Sequence, residues 1–141
     1  MLVEHARNLI GVDDATHAEY GTPGTAIVSP LACSLDGATI EIDMPVDSLL
    51  AALYGTTRAT EMTTCNYGLA PDFGSIAEGA GMSVAAVDAT GEVRAVERRD
   101  HPFFVATLYQ PQLTSAPGAP HPIWSAFIAA TTRCVDKSSP R

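Results

Sequence analysis

Cysteine and histidine are the side chains of this sequence that could act as a nucleophile, a proton carrier or a metal ligand. The chain has three cysteines and four histidines, and they are scattered along it: Cys33, Cys65, Cys134, His5, His17, His101 and His121. No two cysteines form a CxxC pair, and an odd number is not typical of a disulfide framework. This spacing predicts no metal site and no cofactor.

Two local groupings allow a second interpretation. His17 lies among Asp13, Asp14 and Glu19, which together resemble a set of metal ligands, but an acidic loop of this kind is usually a solvated surface. Cys65 follows a threonine-rich segment and could serve as a nucleophile, although a small half-buried cysteine is the more frequent case. We therefore expect both groupings to be structural.

The end of one apolar segment is unusual. Residues 103–109, FFVATLY, carry no charge and run directly into Gln110-Pro111-Gln112. A proline restricts the residue before it to extended backbone, so we expect Gln110 to be held in an extended conformation. An amide side chain donates and accepts hydrogen bonds but does not carry a proton near neutral pH.

The bulk composition excludes several classes of protein. The 141 residues suit one domain, and 46% hydrophobic with 17% charged residues is typical of a globular chain. The net charge of −8, with only eight Lys and Arg, argues against a nucleic-acid partner. No apolar stretch is long enough to cross a membrane, and Glu4, His5 and Arg7 interrupt any signal sequence, so we expect a cytoplasmic protein.

The periodicity of apolar residues and the Gly and Pro punctuation predict an α/β protein. Strands are expected over 26–35, 38–42, 82–88, 92–96 and 103–109, with the middle pair 82–88 and 92–96 forming a hairpin. The segment 103–109 is expected to be buried on both faces, as in the interior of an α/β sheet. Helices are expected over 2–10, 46–54, 71–79 and 123–135, an acidic loop over 12–24, an extended segment over 56–67 and a tail over 136–141.

Two long stretches resemble the glutaminase domain of CTP synthase, a class I glutamine amidotransferase. "DHPFFVATLYQPQLTSAPGAPHPIWSAFIAA", residues 100–130, is similar to the end of that domain, where a strand of the type HPFFVATQFHPEF precedes a proline-rich loop and a final helix. "LVEHARNLIGVDDATHAEY", residues 2–20, resembles the helix that follows the nucleophile of the family. The likeness covers almost the whole chain, and it is greatest to the branch described as CTP synthase C-terminal-region-related proteins.

The resemblance implies a catalytic triad of which little is left. In the family a cysteine on a sharp turn attacks the glutamine amide, a histidine acts as its base and acid, and a glutamate orients the histidine. The position of that histidine falls at Gln110 and that of the glutamate at Gln112, with Pro111 retained between them. The position of the cysteine falls a few residues before Met1, and none of the three cysteines replaces it.

The same resemblance predicts that this chain binds the carboxylate of glutamine more weakly than the family does. In CTP synthases an arginine just before a tyrosine binds the glutamine carboxylate. Tyr67 is retained here, but Asn66 precedes it. A guanidinium offers a fork of donors to a carboxylate, whereas asparagine offers one neutral amide. We interpret Asn66 and Tyr67 as the remains of a ligand site for a glutamine-like molecule.

The expected domain is residues 1–135, the C-terminal part of a flavodoxin-like three-layer class I amidotransferase domain with an added antiparallel hairpin. The resemblance places the first strands and the nucleophile elbow of that domain before Met1, and residues 136–141 form a tail. A sheet lacking strands exposes an unpaired edge. We therefore expect either homo-oligomerisation through that edge or a start of translation upstream of Met1.

Three functions are compatible with these residues. The first is a catalytically degenerate glutaminase-like domain that binds a small metabolite or a protein. The second is an active glutamine amidotransferase or hydrolase of pyrimidine nucleotide metabolism, if upstream sequence supplies the nucleophile. The third is a truncated reading frame without an independent role.

Overall fold

The computed structural model describes residues 1–71, 73–74, 78 and 80–138, with the side chains of the last helix described as far as Arg133. The strands are β1 Ala15–His17, β2 Thr25–Pro30, β3 Ala38–Asp43, β4 Arg58–Thr63, β5 Tyr67–Leu69, β6 Ser83–Asp88, β7 Val93–Glu97 and β8 Val105–Thr107. The α-helices are α1 Leu2–His5, α2 Leu49–Tyr54 and α3 Pro122–Ser138. Single turns of 3₁₀-helix span Ala18–Tyr20 and Pro111–Leu113.

The described strands form two sheets. One has three strands in the order β1-β2-β5, and the other has five in the order β4-β3-β6-β7-β8. Only the β1–β2 pair is parallel; every other pair is antiparallel. The chain is therefore mixed α/β, as the sequence predicted, and antiparallel pairing dominates the described part of it.

The predicted hairpin is present as β6 and β7. Its turn is organised by Asp88, whose carboxylate accepts hydrogen bonds from the Thr90 main chain at 2.9 Å and from the Arg94 guanidinium at 2.6 and 2.8 Å. Gly91 follows with φ of 85°, a left-handed conformation that a side chain disfavours. The turn residues seen in the sequence are thus responsible for the hairpin.

Helix α2 begins later than predicted, at Leu49 instead of residue 46. Ser48 caps it by accepting a hydrogen bond from the Ala51 main chain at 3.0 Å. The fully buried Glu97 of β7 accepts two further main-chain bonds, from Leu49 at 2.9 Å and Leu50 at 3.1 Å. A carboxylate at a helix N-terminus satisfies donors that would otherwise lack partners.

The first helix also departs from the prediction. The segment 2–10 is helical throughout, but α1 continues from Ala6 to Ile10 as a π-helix. It ends at Gly11, whose main-chain N–H donates to the Ala6 carbonyl and whose φ is 83°. Insertions of π-helix are rare in proteins and shift the side chains beyond them around the helix axis.

Two predictions are wrong. The expected acidic loop over 12–24 contains β1, whose Ala15 and Thr16 are buried; three residues are too few for a visible period. The segment 103–109 is a strand only over Val105–Thr107, which is half-buried and lies at the end of the five-stranded sheet. It is not an interior strand.

The uncharged segment around β8 is explained by two apolar cores on its two sides. Phe103 and Val105 pack against a core of the five-stranded sheet, α2 and α3 that includes Ile42, Leu50 and Tyr109. Phe104 and Ala106 pack against a second core, formed by the first helix and by residues of both sheets. Alternate side chains of one strand point to opposite faces, so a strand between two cores needs apolar residues at every position.

Other predicted elements lie close to their expected places. The turn at Asp36-Gly37 precedes β3, the threonine-rich extended segment 56–67 contains β4 and the first residue of β5, and the closing helix is α3. The helix expected over 71–79 falls largely on residues outside the described part of the chain. So do residues 139–141 of the expected tail, while α3 continues to Ser138.

Candidate functional site

The segment after β8 holds the first pair of predicted site residues. Gln110 has φ of −111° and ψ of 93°, the extended conformation expected before Pro111. Its main-chain N–H donates to the Met62 carbonyl at 3.0 Å, and its side-chain Oε1 accepts the Thr64 main-chain N–H at 2.7 Å. Gln110 therefore connects the end of β4 to the turn that begins at Pro111.

Gln112 has a different environment. It is exposed, but it shares with Gln110 a cleft of about 420 Å³ between the β8 segment and α3. The rest of the cleft wall is mainly apolar, and half of its residues are aromatic: Phe103, Phe104, Tyr109, Trp124 and Phe127. The structure thus brings the two amides to one cavity.

Asn66 and Tyr67, the second pair, do not line that cleft. The Asn66 Oδ1 accepts a hydrogen bond from the Ser34 hydroxyl at 2.6 Å, and the Asn66 carbonyl accepts one from the Leu31 main chain at 2.9 Å. The Tyr67 ring packs against the His17 ring with centroids 5.0 Å apart. This pair is separated from the glutamines by the chain around Thr64.

The cysteines with described side chains are ordinary in environment. Cys33 is exposed, and Cys65 is half-buried with its thiol donating to the Tyr67 carbonyl at 3.2 Å. Both are free thiols. Among the described residues, no group of three or more His, Cys, Asp and Glu side chains is placed to hold a metal ion.

A buried polar cluster lies directly behind the glutamine turn, and we call it the Glu61 network. The Glu61 Oε1 accepts hydrogen bonds from the Tyr54 hydroxyl at 2.7 Å and from the His121 Nε2 at 2.9 Å. The Thr114 hydroxyl donates to the other carboxylate oxygen at 3.3 Å. The Tyr109 hydroxyl lies 3.1 Å from that of Tyr54. Glu61 and His121 are only 3% and 5% exposed, so this pair at the centre of the network is shielded from water.

The hydrogen bonds assign the proton on His121. Its Nδ1 accepts the Ile123 main-chain N–H at 3.2 Å, which places the proton of the neutral ring on Nε2, facing Glu61. Burial and the neighbouring Tyr109 raise the pKa of Tyr54, and burial raises the pKa of Tyr109. Both phenols are therefore neutral hydrogen-bonding groups at physiological pH.

Sequence reasoning missed the Glu61 network. Its members come from α2, β4, the end of the β8 segment, the proline-rich loop and the start of α3, and Glu61 and His121 are 60 residues apart. Polar residues so far apart give no periodic signal. The one available sign was Glu61 on a strand otherwise rich in small polar residues. The network anchors the turn on both sides, since Tyr109 precedes it and Thr114 follows it.

A second cleft, of about 700 Å³, lies on the other side of β8 between the first helix and β1. Its polar wall includes Glu4, Arg7 and His17, and Arg7 is 3.5 Å from Glu4. The Arg7 Nε donates to the Ala15 carbonyl at 3.0 Å, which ties the first helix to β1. The charged side chains of this cleft therefore largely compensate one another.

His5, on the same helix, is buried and has no hydrogen-bond partner for Nε2 within the described residues. Burial, and then the positive charge of Arg98, lower the pKa of its imidazole. His5 is thus an uncharged packing residue at neutral pH. In the described ranges, no helix is both long and apolar enough to span a membrane.

Comparison with solved structures defines the class. The chain superposes on the glutaminase domain of Trypanosoma brucei CTP synthase, solved with bound acivicin, with a TM-score of 0.84 and 26% sequence identity, covering 94% of this chain and 56% of that chain. A Thermoplasma acidophilum protein described as belonging to GMP synthase matches with a TM-score of 0.54 and 19% identity over 79% of this chain and 52% of that chain, which shows the fold alone. The fold is that of a class I glutamine amidotransferase.

Within that class, the sequence is similar to CTP synthases. It is 31% identical to CTP synthase from Brucella ovis over 147 aligned residues and 30% identical to that from Caulobacter vibrioides over 148. These alignments cover 91% and 92% of this chain but 27% of each relative. The chain therefore spans about a quarter of the length of these proteins and resembles their glutaminase domain. No protein-family model matches the chain.

Proposed function

We propose that this protein is a CTP synthase glutaminase-like domain, located in the cytoplasm, that does not hydrolyse glutamine and binds a small ligand through the cleft beside Gln110. The observation that carries the proposal is the 2.7 Å hydrogen bond from the Thr64 main chain to the Gln110 side chain. The resemblance gives position 110 to the histidine that carries the proton in the family. Here the side chain of Gln110 instead connects the segment after β8 to the segment after β4.

The chemistry of that bond supports a loss of catalysis. An amide oxygen held by a main-chain N–H does not take a proton at neutral pH, and loss of a positioned general base lowers rates by about 10²- to 10⁴-fold. His121 does not replace it, because both of its ring nitrogens are engaged inside the Glu61 network. Cys65 donates its thiol proton to a carbonyl, not to a base.

The environment of Asn66 supports a weakened grip on the family's substrate. Its Oδ1 is bonded to the Ser34 hydroxyl, and its side chain carries no charge to pair with a carboxylate. A glutamine-like ligand would therefore lose the bidentate contact that an arginine provides.

The cleft beside Gln110 and Gln112 supports a binding role. Its volume of about 420 Å³ suits a small molecule, and its wall combines aromatic rings with two amides. An amide side chain can donate to a carboxylate group, and it can both donate to and accept from another amide group. The ligand we propose is therefore a small molecule with an apolar body and one such group.

An ammonia-release assay with glutamine tests the loss of catalysis. The purified chain should release no more ammonia than a sample without protein, whereas an intact class I glutaminase domain measured in parallel should release it readily. A Cys33→Ser, Cys65→Ser double variant should behave like the parent. Turnover of glutamine by the parent chain would refute the proposal and favour an active amidotransferase.

Calorimetric titration with glutamine, used as the probe amide, tests the binding role. Binding should weaken in Gln112→Ala, which removes an amide from the cleft, and should be unchanged in Glu41→Gln, an exposed position on β3. Equal binding by the two variants would place the ligand elsewhere. No heat from glutamine with the parent chain would exclude glutamine as a ligand.

A further inference from the structure

The turn before β3 contains the one Asp-Gly pair of the sequence, Asp36-Gly37. A main-chain hydrogen bond from the Ala38 N–H to the Leu35 carbonyl, at 2.9 Å, closes this turn. Asp36 and Gly37 are both exposed, and Gly37 has φ of 71°. Glycine has no side chain, and no atom lies within 4 Å of the place that a Cβ of Gly37 would take. The main-chain nitrogen of Gly37 is therefore sterically unhindered.

The side chain of Asp36 is not held in place. Within the described residues, its carboxylate takes part in no hydrogen bond or ion pair, and the Gly37 N–H has no acceptor. Only the main-chain N–H of Asp36 is engaged, since it donates to the Ser34 hydroxyl at 3.3 Å. The carboxyl group of Asp36 can therefore rotate toward the nitrogen of the next residue.

We propose that Asp36-Gly37 is a site of spontaneous main-chain isomerisation. The Gly37 nitrogen attacks the Asp36 Cγ, and a succinimide ring forms while the carboxyl hydroxyl leaves with the amide proton as water. Water then adds to the main-chain carbonyl carbon of Asp36, and the bond from that carbon to the Gly37 nitrogen breaks. The product is isoaspartate, in which the chain runs through the former side chain. One water molecule is released and one is consumed, so the two steps need no oxidant or reductant.

Asp47-Ser48 shows how the fold protects a comparable pair. Serine is also a small residue, but the Arg99 guanidinium donates to the Asp47 carboxylate at 2.9 Å, and the Ser48 N–H donates to the Pro45 carbonyl at 3.0 Å. The hydrogen bond from Arg99 lowers the pKa of Asp47, and an ionised carboxylate is a poor target for a nucleophile. Both reacting groups are thus engaged at Asp47-Ser48 and free at Asp36-Gly37.

Isomerisation changes the contact between this turn and Asn66. Isoaspartate adds a methylene group to the main chain, so the turn closed by the Ala38 N–H cannot keep its geometry. The Ser34 hydroxyl, which accepts from the Asp36 N–H, donates to the Asn66 Oδ1 at 2.6 Å. The modification therefore moves Ser34 and releases the Asn66 side chain without cleaving the chain.

Incubation of the folded protein for several days at neutral pH tests the proposal. Isoaspartate is measured by methylation with a protein isoaspartyl methyltransferase and labelled S-adenosylmethionine, and electron-transfer fragmentation in a mass spectrometer locates it. It should accumulate at residue 36, be lost in Asp36→Glu, which would need a larger ring, and be unchanged in Asp47→Glu. Folded parent protein without isoaspartate at residue 36 would overturn the proposal.

The same incubation in urea separates the effect of the fold from that of the sequence. In the unfolded chain Asp47 no longer has its partner Arg99, so isoaspartate should form at both Asp36 and Asp47. Equal amounts at the two positions in the folded protein would refute the selection of Asp36 by the fold.

Nuclear magnetic resonance measures the effect on the turn. The incubated parent should show a second signal for the Asn66 side-chain amide and faster hydrogen exchange at Ala38, and incubated Asp36→Glu should show neither. An isomerised protein with unchanged Asn66 and Ala38 signals would contradict the predicted link to Asn66.

Discussion

Glu61 Oε1 and His121 Nε2 lie 2.9 Å apart in the interior of the protein, and both side chains are at least 95% buried. The contact joins β4 to the residue immediately before α3. A buried hydrogen-bonded pair is costly to break, because the remaining partner stays buried without compensation. Through Tyr109 and Thr114, the network around this pair fixes both ends of the turn that carries Gln110 and Gln112.

Removing one member of this pair should destabilise the protein strongly. His121→Ala should lower the free energy of unfolding by about 1–3 kcal/mol, since the buried Glu61 carboxylate loses one donor and keeps those of Tyr54 and Thr114. Urea denaturation measures the change. Thr60→Ala, at an exposed position on β4 beside Glu61, is the control and should change stability by about 0.5 kcal/mol or less. Equal effects of the two substitutions would contradict this account of the network.

The two glutamines should differ in their contribution to stability. Gln110→Ala removes the bond from the exposed Thr64 N–H, which water can partly replace, and should cost about 0.5–1.5 kcal/mol. Gln112→Ala removes an exposed side chain and should cost about 0.5 kcal/mol or less. Thermal unfolding of both variants checks the difference. A Gln110→Ala variant as stable as the parent would show that the bond to Thr64 is dispensable.

Stability should fall with acidity because of His5. Its pKa in the folded protein is lowered from 6.5 by burial and by Arg98, so the unfolded chain binds this proton first. The contribution of His5 to the free energy of unfolding is therefore fully present above pH 6.5. It is lost as the pH falls from 6.5 toward the lowered pKa that His5 has in the folded protein. The carboxyls of Asp88 and Asp100 also have lowered pKa values, but they act below their ordinary value of 3.8.

Urea denaturation at several pH values between about 7.5 and 5 isolates the His5 contribution. His5→Phe should flatten the profile in this range, because it removes the titrating group from the buried position. A parent profile that is flat across this range would show that His5 does not resist protonation in the fold.

Restoring the family's motif should not be sufficient for catalysis in this chain. In the function proposed above, Gln110→His, Gln112→Glu and Asn66→Arg together restore the family's base, its orienting group and its carboxylate-binding arginine, but they add no nucleophile. We expect no ammonia release from the 141-residue triple variant. A segment that carries the nucleophilic cysteine, added before Met1 of the triple variant, should produce glutaminase activity. The rate should be about 10²- to 10⁴-fold higher than that of the parent chain with the same added segment.

The experiment with the added segment distinguishes a cleft that is intact but lacks its reactive groups from a cleft whose shape has changed. A gain in glutaminase activity would show that the pocket is intact and lacks only its reactive groups. No gain from the extended triple variant would mean that the cleft has been reshaped, and the 2.6 Å bond between Ser34 and Asn66 is the first contact to examine.

Several features of the fold could be predicted from the sequence because residues adjacent in the sequence determine them. The β6–β7 hairpin follows from the turn around Asp88 and Gly91, and the extended backbone of Gln110 follows from Pro111. The resemblance to CTP synthase glutaminase domains was visible in residues 100–130 and is supported by the superposition. Each of these features depends on neighbours in the sequence or on a motif of adjacent residues.

By itself, then, the sequence predicted the α/β class and the likeness to a class I glutaminase, which the comparisons confirm, and it led to the hypothesis that amides stand at the positions of the family's proton-carrying residues. Only the tertiary structure decided that β8 is an edge strand between two cores, and that Glu61 and His121 meet behind the glutamine turn. The physical reason is that burial and long-range hydrogen bonds depend on which segments pack together. An apolar segment can have the same amino-acid sequence whether its strand lies at the edge of a sheet or in the interior.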